Sequence, residues 1–542
     1  MGTRGTKRPG RNRETDRTEG GKPGSGSCEK IGLTFWNIFA LICFGHRYAE
    51  IVTPAAKFPS ARFEAINRDQ SVLHAIDVER LIDDNHPARN IWDFMGTLNL
   101  DRFLADISAV EGRAGRSRWE PRLLLSMWLY AYSRGISSAR EIERQCEYEP
   151  GLQWLTGMGV VNHHTLSDFR VRHGEQLRDL FVQVLGVLHL KKLITLERVT
   201  QDGTKVRANV NKKTFTREAK IRAHLDLARR HVAEMEREEA EHEKTRRAAA
   251  RRRAARERSE RLEAALAEVQ RLQETKKWEK EKPCHASITD ADAQFMRTGD
   301  HGVAPSYNVQ VTTDAAHGII IGVEASKSPS DAENLIPALE QVHEDFGAYP
   351  EQVIADGDYT NRKTVRETAE REIDFYGSWG ETERNSGHGI HPSYQASAFR
   401  YDQRRNEFIC PQGERLRYAK TQERDGAENH IFAADRKQCR ACAARQQCSP
   451  NNKMPKLGRT VSVMLEHPAV EQFKDKMATE SGKATYKLRS RIAEFPHAWL
   501  KTKLNFVRFR CRGVVNATTE SLWVCLAHNL QRYFALRQTI AA

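Results

Sequence analysis

The chain has no apolar run long enough to cross a membrane. Its one membrane candidate, residues 31–45 (IGLTFWNIFALICFG), is fifteen residues without a charge, whereas a spanning helix needs about 20. No small-residue cleavage site follows it, so neither a signal peptide nor a membrane partner is expected. Cysteine is sparse, at ten of 542 residues. That excludes a disulfide scaffold and points to a reducing, cytoplasmic compartment, where clustered thiols suggest metal before disulfide. The sequence contains no GxxxxGK[ST], HExxH or GxSxG pattern, which removes P-loop, zincin and serine-hydrolase chemistry from consideration. Glycine and proline are missing altogether from residues 210–282, and no fixed-period repeat is present.

What remains is long and basic. A length of 542 residues allows roughly three to five structural units. The net charge of +14 favours a polyanionic partner. Residues 1–61, basic and rich in Gly, Pro and Ser, read as a poorly structured extension. Residues 62–195 read as a helical module whose apolar positions recur at three and four. Within it SAREIE, a break at TGMG and TLSDFRVRH are laid out as a helix-turn-helix, which would carry Arg170, Arg172 and His173 to phosphates or base edges. Helical pairs without a DNA role share this layout. Residues 210–283 read as a helical hairpin or coiled coil, with Ile221, Leu225, Ala228, Val232 and Met235 matched by Leu262, Ala265, Leu266, Val269 and Leu272. A single rod of this length would extend about 105 Å; a bend in the Arg-rich part is the shorter solution. A purely solvated helix pair fits as well.

After Pro283 the pattern becomes strand, strand, helix, strand, helix, strand, and residues 196–201 supply an earlier strand. The expected fold class is therefore α+β / α/β: an RNase H-like core split over 196–209 and 284–378 and completed by 476–542, with a Cys-containing insertion over 379–475. Two apolar runs end alike, in RVTQDGTK and VIADGDY. Each delivers an Asp followed by Gly, putting Asp202 and Asp356 where a strand leaves its sheet and backbone can approach a ligand. Asp358 is the alternative to Asp356. Such a carboxylate pair suits two Mg²⁺ or Mn²⁺ ions serving an in-line phosphoryl transfer. A third acidic ligand, Glu494, is available in YKLRSRIAEFPHAWLK, a block followed by the basic run RFRCRG.

These motifs together, DGTKVRAN, YNVQVTTDAAHGIII, VIADGDYTN, the Tyr486 to Lys501 block and LAHNLQRY, resemble those of bacterial insertion-sequence DDE transposases, in the group with a Tyr…Arg…Glu…Lys signature. The resemblance spans roughly residues 62–542. It implies that Asp202, Asp356 and Glu494 form the metal-binding triad, and that Tyr486, Arg489 and Lys501, with Lys205, hold DNA phosphates. The usual three residues between Arg and Glu are four here from Arg489 and two from Arg491, so either arginine can take the part. Pro496 is expected to disturb the helix that carries Glu494. Cys410, Cys439, Cys442 and Cys448 offer four thiolates to one structural Zn²⁺; unliganded thiols or an iron–sulfur cluster are the other readings. The activity implied is Mg²⁺-dependent strand cleavage and strand transfer on element ends and target DNA by a nucleoid-associated homodimer. A metal-dependent nuclease that does not join strands, or an inactive DNA-binding descendant, is the alternative.

Overall fold

The computed structural model describes residues 68–541, apart from 70, 72, 74, 106–117, 242–245, 276–282, 300–301, 381–388, 425–426 and 451–455. The extension expected over 1–61 lies outside them. Residues 75–542 form one compact unit.

That unit begins with helices α1 (Pro87–Met95), α2 (Asp101–Leu104), α3 (Pro121–Ser133), α4 (Ala139–Gln145), α5 (Pro150–Thr156), α6 (His163–Arg172) and α7 (Gly174–Leu190). Their starts are written locally. Proline opens α1, α3 and α5, where its fixed φ suits the first turn and its missing N–H costs nothing. Ser138, Glu149 and Asn162 accept backbone N–H bonds at the starts of α4, α5 and α6. Gly157 ends α5 with φ +59°, a left-handed turn that glycine takes without strain. Helix α3 is buried from Leu123 to Tyr132, so it forms the middle of the bundle.

Strand β1 (Arg198–Arg207) follows, then β2 (Phe215–Thr216), α8 (Glu218–Glu241), α9 (Arg246–Thr275), β3 (Ala286–Ser287), β4 (Gln294–Arg297), β5 (Val303–Asp314), β6 (Ile319–Ser326), α10 (Leu335–Phe346), β7 (Gln352–Ala355), α11 (Arg362–Glu370) and β8 (Asp374–Tyr376). The sheet runs β4-β5-β1-β7-β8, with β6 also paired to β5. β5 is antiparallel to β1 and β6, whereas β7 and β8 run parallel to β1. Three antiparallel strands thus lead into parallel ones, a topology consistent with an RNase H-like core. Helices α8 and α9 pack through Ile221, Leu225 and Ala228 against Leu262, Ala265 and Val269, a small core of their own. The β2–β3 ribbon closes the base of this insertion, pairing Phe215 with Ser287.

The stretch after β8 holds a second sheet. β9 (Arg400–Asp402), β10 (Glu407–Ile409), β11 (Arg415–Arg424), β12 (Ala427–Ala434) and, after the short helices α12 (Arg436–Ala441) and α13 (Arg445–Cys448), β13 (Thr460–Leu465) form an antiparallel meander. Its core is Phe399, Phe408, Leu416, Phe432, Ala434 and Val461.

Three helices close the chain: α14 (Pro468–Ala478), α15 (Glu480–Thr502) and α16 (Val514–Ala541). Contrary to the expected disturbance, α15 continues through Pro496. The Asn529 side chain of α16 accepts from the Ile320 N–H (2.9 Å) and donates to the Ile320 carbonyl (2.7 Å), satisfying the free edge of β6. Trp523 of α16 stacks on Tyr132 of α3, so the helical module and the sheet share one continuous core.

Candidate active site

The central pairing of the sheet assembles the site. β1 and β7 are parallel with Gln201 opposite Ala355. The next residue of each is Asp202 and Asp356, so the two side chains project from neighbouring strands, which run about 4.8 Å apart, toward the same face. Only Asp356 stands where a strand leaves its sheet; contrary to expectation Asp202 is in mid-strand, because β1 stays paired to β5 as far as Arg207. β7 ends at Ala355; Asp356 then accepts from the Gly357 N–H at 2.6 Å as the chain turns away. Asp358, in that turn, is exposed. Burial pushes the Asp202 carboxyl above its ordinary range, against the pull of the Gly203 N–H and Arg489, and the charges of Asp356 and Asp331 push it further.

Helix α15 crosses this face. The Arg489 guanidinium lies 3.6 Å from Asp202 and 3.8 Å from Asp356, bridging the pair. Of the two candidate arginines Arg489 therefore faces the carboxylates, while Arg491 is exposed. Tyr486 is near them, its phenol pushed up by burial and then by Asp356. Lys501 is near Asp202, its ammonium pulled down by burial and by Lys205. His497 places Nε2 3.7 Å from Asp202 Oδ2, and burial lowers its imidazole to about 4, helped by Lys501 and Arg489. Glu494 is exposed. At about 100° per residue it lies roughly 140° around α15 from Arg489 and roughly 60° from His497, on the outer flank of the side that meets the carboxylates.

Behind Asp202, on the opposite face of β1, a polar layer is buried. The Lys205 ammonium donates to both oxygens of Asp331 (3.2 and 2.9 Å). Asn308 and Gln310 donate to the same carboxylate. Gln310 in turn accepts from Gln201 (2.9 Å) and from the Tyr359 hydroxyl. Gly203 is required here, because a Cβ would stand 2.5 Å from Asp331 Oδ1. Lys205, expected on DNA, is thus held by Asp331. Neither Asp331 nor His497 is marked by the sequence: the first looks like a turn residue in SPSD, and the second is hidden beside Pro496 in EFPHAW.

The other expected residues fall into two groups. Arg170 departs from its expected role on DNA. It is buried, donating to Tyr132 (3.2 Å) and the Ser137 carbonyl (2.8 Å), with its guanidinium 4.5 Å over the Trp128 ring; the helix was legible, but its inward face was not. Arg172 is exposed and pairs with Asp168 at 3.2 Å. Cys410, Cys439, Cys442 and Cys448 line one small pocket, all as free thiols. Cys439 Sγ accepts the Arg459 N–H at 3.3 Å, and burial followed by the neighbouring Cys410 and Cys442 raises its thiol. Among the described residues no three His, Cys, Asp or Glu side chains already stand as a metal-binding cluster. The fit of the carboxylate site to a cation rests instead on Arg489, whose positive charge takes a position shared by Asp202 and Asp356.

Comparison with protein families gives two matches. Residues 76–172 match the family described as Transposase domain (DUF772), and residues 409–534 match the family described as Transposase DDE domain. The first covers α1 to α6 of the helical module. The second runs from the cysteine pocket through Glu494 to α16, leaving Asp202 and Asp356 between the two. No curated protein matches the chain, and among the described residues no helix is long and apolar enough to cross a membrane.

Proposed function

An insertion-sequence DDE transposase is what the two family matches indicate, and from that premise we propose that the chain cleaves and joins DNA at the Asp202–Asp356 pair, with Glu494 as the third carboxylate. The observation that carries this is the single guanidinium bridging two carboxylates on adjacent parallel strands. Asp202, Asp356 and Glu494 would hold divalent cations, Mg²⁺ or Mn²⁺, whose charge would favour ionisation of a water and stabilise the leaving oxygen. Tyr486, Arg489 and Lys501 orient the phosphates, with Lys205 fixed behind them. Water breaks a phosphodiester bond and frees a 3′-OH; that oxygen then attacks a target phosphorus and displaces the target's own 3′ oxygen. Arg172 and the helical module bind the element ends, and two copies of the chain act together on the nucleoid. Arg170 has no part in DNA contact. Cys410, Cys439, Cys442 and Cys448 hold one structural Zn²⁺ that ties α12 and α13 to the meander.

The test is metal-dependent nicking and joining of a plasmid carrying the element's ends. Asp202→Asn and Asp356→Asn are expected to lose at least about 10²-fold in nicking rate while binding end DNA as the parent does. Nicking at the parent rate by Asp202→Asn would sink the assignment; nicking without joined product would make the chain a nuclease.

A further inference from the structure

We propose that His497 is a ligand of the same metal site, a deeper reading that rests on the carboxylate assignment above. Its side chain is only 12% exposed, and charged groups stand around it: Nε2 faces Asp202 Oδ2 at 3.7 Å, and Arg489 and Lys501 lie close by. Its other ring nitrogen, Nδ1, is buried without a hydrogen-bond partner. At 3.7 Å the Nε2–Oδ2 pair is too long for a direct hydrogen bond, so an ion held between the two atoms would engage Nε2, while Nδ1 would stay as it is.

The geometry suits shared coordination. Two donors that each hold one ion at about 2.1 Å lie roughly 3–3.7 Å from each other, which matches the separation of Nε2 from Oδ2. Glu494 precedes His497 by one helical turn, so α15 offers an oxygen donor on its outer flank and a nitrogen donor on its inner one. Of the two, only the nitrogen already lies beside a carboxylate. The identity of the donor has a chemical consequence. Imidazole suits transition metals better than it suits Mg²⁺. His497 therefore biases the site toward Mn²⁺, and removing it erodes that preference instead of weakening both metals alike.

The experiment uses the full chain and metal alone. Mn²⁺ bound to the parent protein is examined by pulsed electron paramagnetic resonance for coupling to a ¹⁴N nucleus, and Mn²⁺ and Mg²⁺ affinities are measured by calorimetry for the parent, His497→Gln, His497→Ala and Asp202→Asn, with a melting curve for each. The expected result is ¹⁴N coupling in the parent that is lost in both His497 variants. Mn²⁺ affinity should drop about 10-fold or more in those variants, and Mg²⁺ affinity should change several-fold less. Mn²⁺ that Asp202→Asn no longer binds, but that shows no nitrogen coupling in the parent, overturns the His497 ligand and leaves the carboxylate site standing. Undiminished Mn²⁺ binding by Asp202→Asn overturns both. An equal loss of both metals in the two His497 variants reduces His497 to a packing role. The parent spectrum needs no variant, so the proposal stays exposed to refutation even if both substitutions misfold.

Discussion

The two sheets of this chain meet the cost of polar groups in opposite ways. In the β1-centred sheet nearly every residue of β5 from Pro305 to Asp314 is buried, so Asp202 and the Asp331 layer are enclosed by protein and need Arg489, Lys205, Asn308 and Gln310 as partners. The meander has six core residues and leaves Tyr401 (47%), Tyr418 (49%) and Leu465 exposed. A large core can enclose charge and fix its geometry. A small one needs another staple, and four thiols gather where it would be placed.

That contrast can be broken experimentally. The largest effect is expected from the staple. Cys439→Ser should lose the zinc proposed for this site, expected at one per chain by elemental analysis in the parent, and with it up to about 10 kcal/mol of site binding energy. Amide exchange should then rise across β9 to β13 and not in β1, β5 or β7. A parent protein without zinc would remove the staple from the argument. Next come two matched truncations. Phe509, fully buried against Tyr307 and Phe506, should cost about 3–5 kcal/mol of global stability as Phe509→Ala. Phe432→Ala, equally buried in the meander, should melt that sheet alone, seen as a separate transition in calorimetry. One shared transition for both variants would show the sheets to be a single cooperative unit.

A smaller effect concerns acid. Burial lowers His528 to about 4, and its Nε2 donates to the Gly318 carbonyl at 3.0 Å. The folded state keeps the ring neutral, while the unfolded chain takes up a proton below about 6.5. Stability present at pH 7 is therefore lost as the pH falls from about 6.5 toward 4, by about 2 kcal/mol at pH 5 from this group. His528→Gln should lose correspondingly less between pH 7 and pH 5 in denaturant titrations. The smallest change is expected at the exposed face of the meander, where Tyr418→Lys should alter stability by no more than about 0.5 kcal/mol. A larger loss there would mean that the face is covered.

Legibility in the sequence followed the range of the forces involved. The β5–β6 hairpin, β7 and the exit at Asp356-Gly357 were readable because apolar runs and turn residues are local; Asp202-Gly203 looks the same but lies inside β1, whose second half is set by pairing with the distant β5. The meander strands were not: β9 and β10 are three residues each and exist through pairing with distant neighbours. Arg170 shows the same limit, since periodicity located its helix but not the Trp128 and Tyr132 that draw it inward. Pro496 misled in the other direction. It removes one backbone bond from α15, yet the helix persists because Ile492, Ala493, Pro496 and Leu500 are all buried against the sheet. His497 and Asp331 became visible only when β1, α15 and the loop after β6 were brought together.

The β2–β3 ribbon has a kinetic consequence. Residues 202 and 311 pair across the sheet, and closing so long a loop in one step is slow. Two helices that find each other locally, with a two-residue ribbon clasping their ends, bring residues 215 and 287 within one strand spacing before the sheet exists. The loop that β1 and β5 must then close is shortened about threefold, which lowers its closure cost by roughly 1 kcal/mol. The insertion thus works as a hairpin clip on the chain, and its length can change while the register that aligns Asp202 with Asp356 stays fixed.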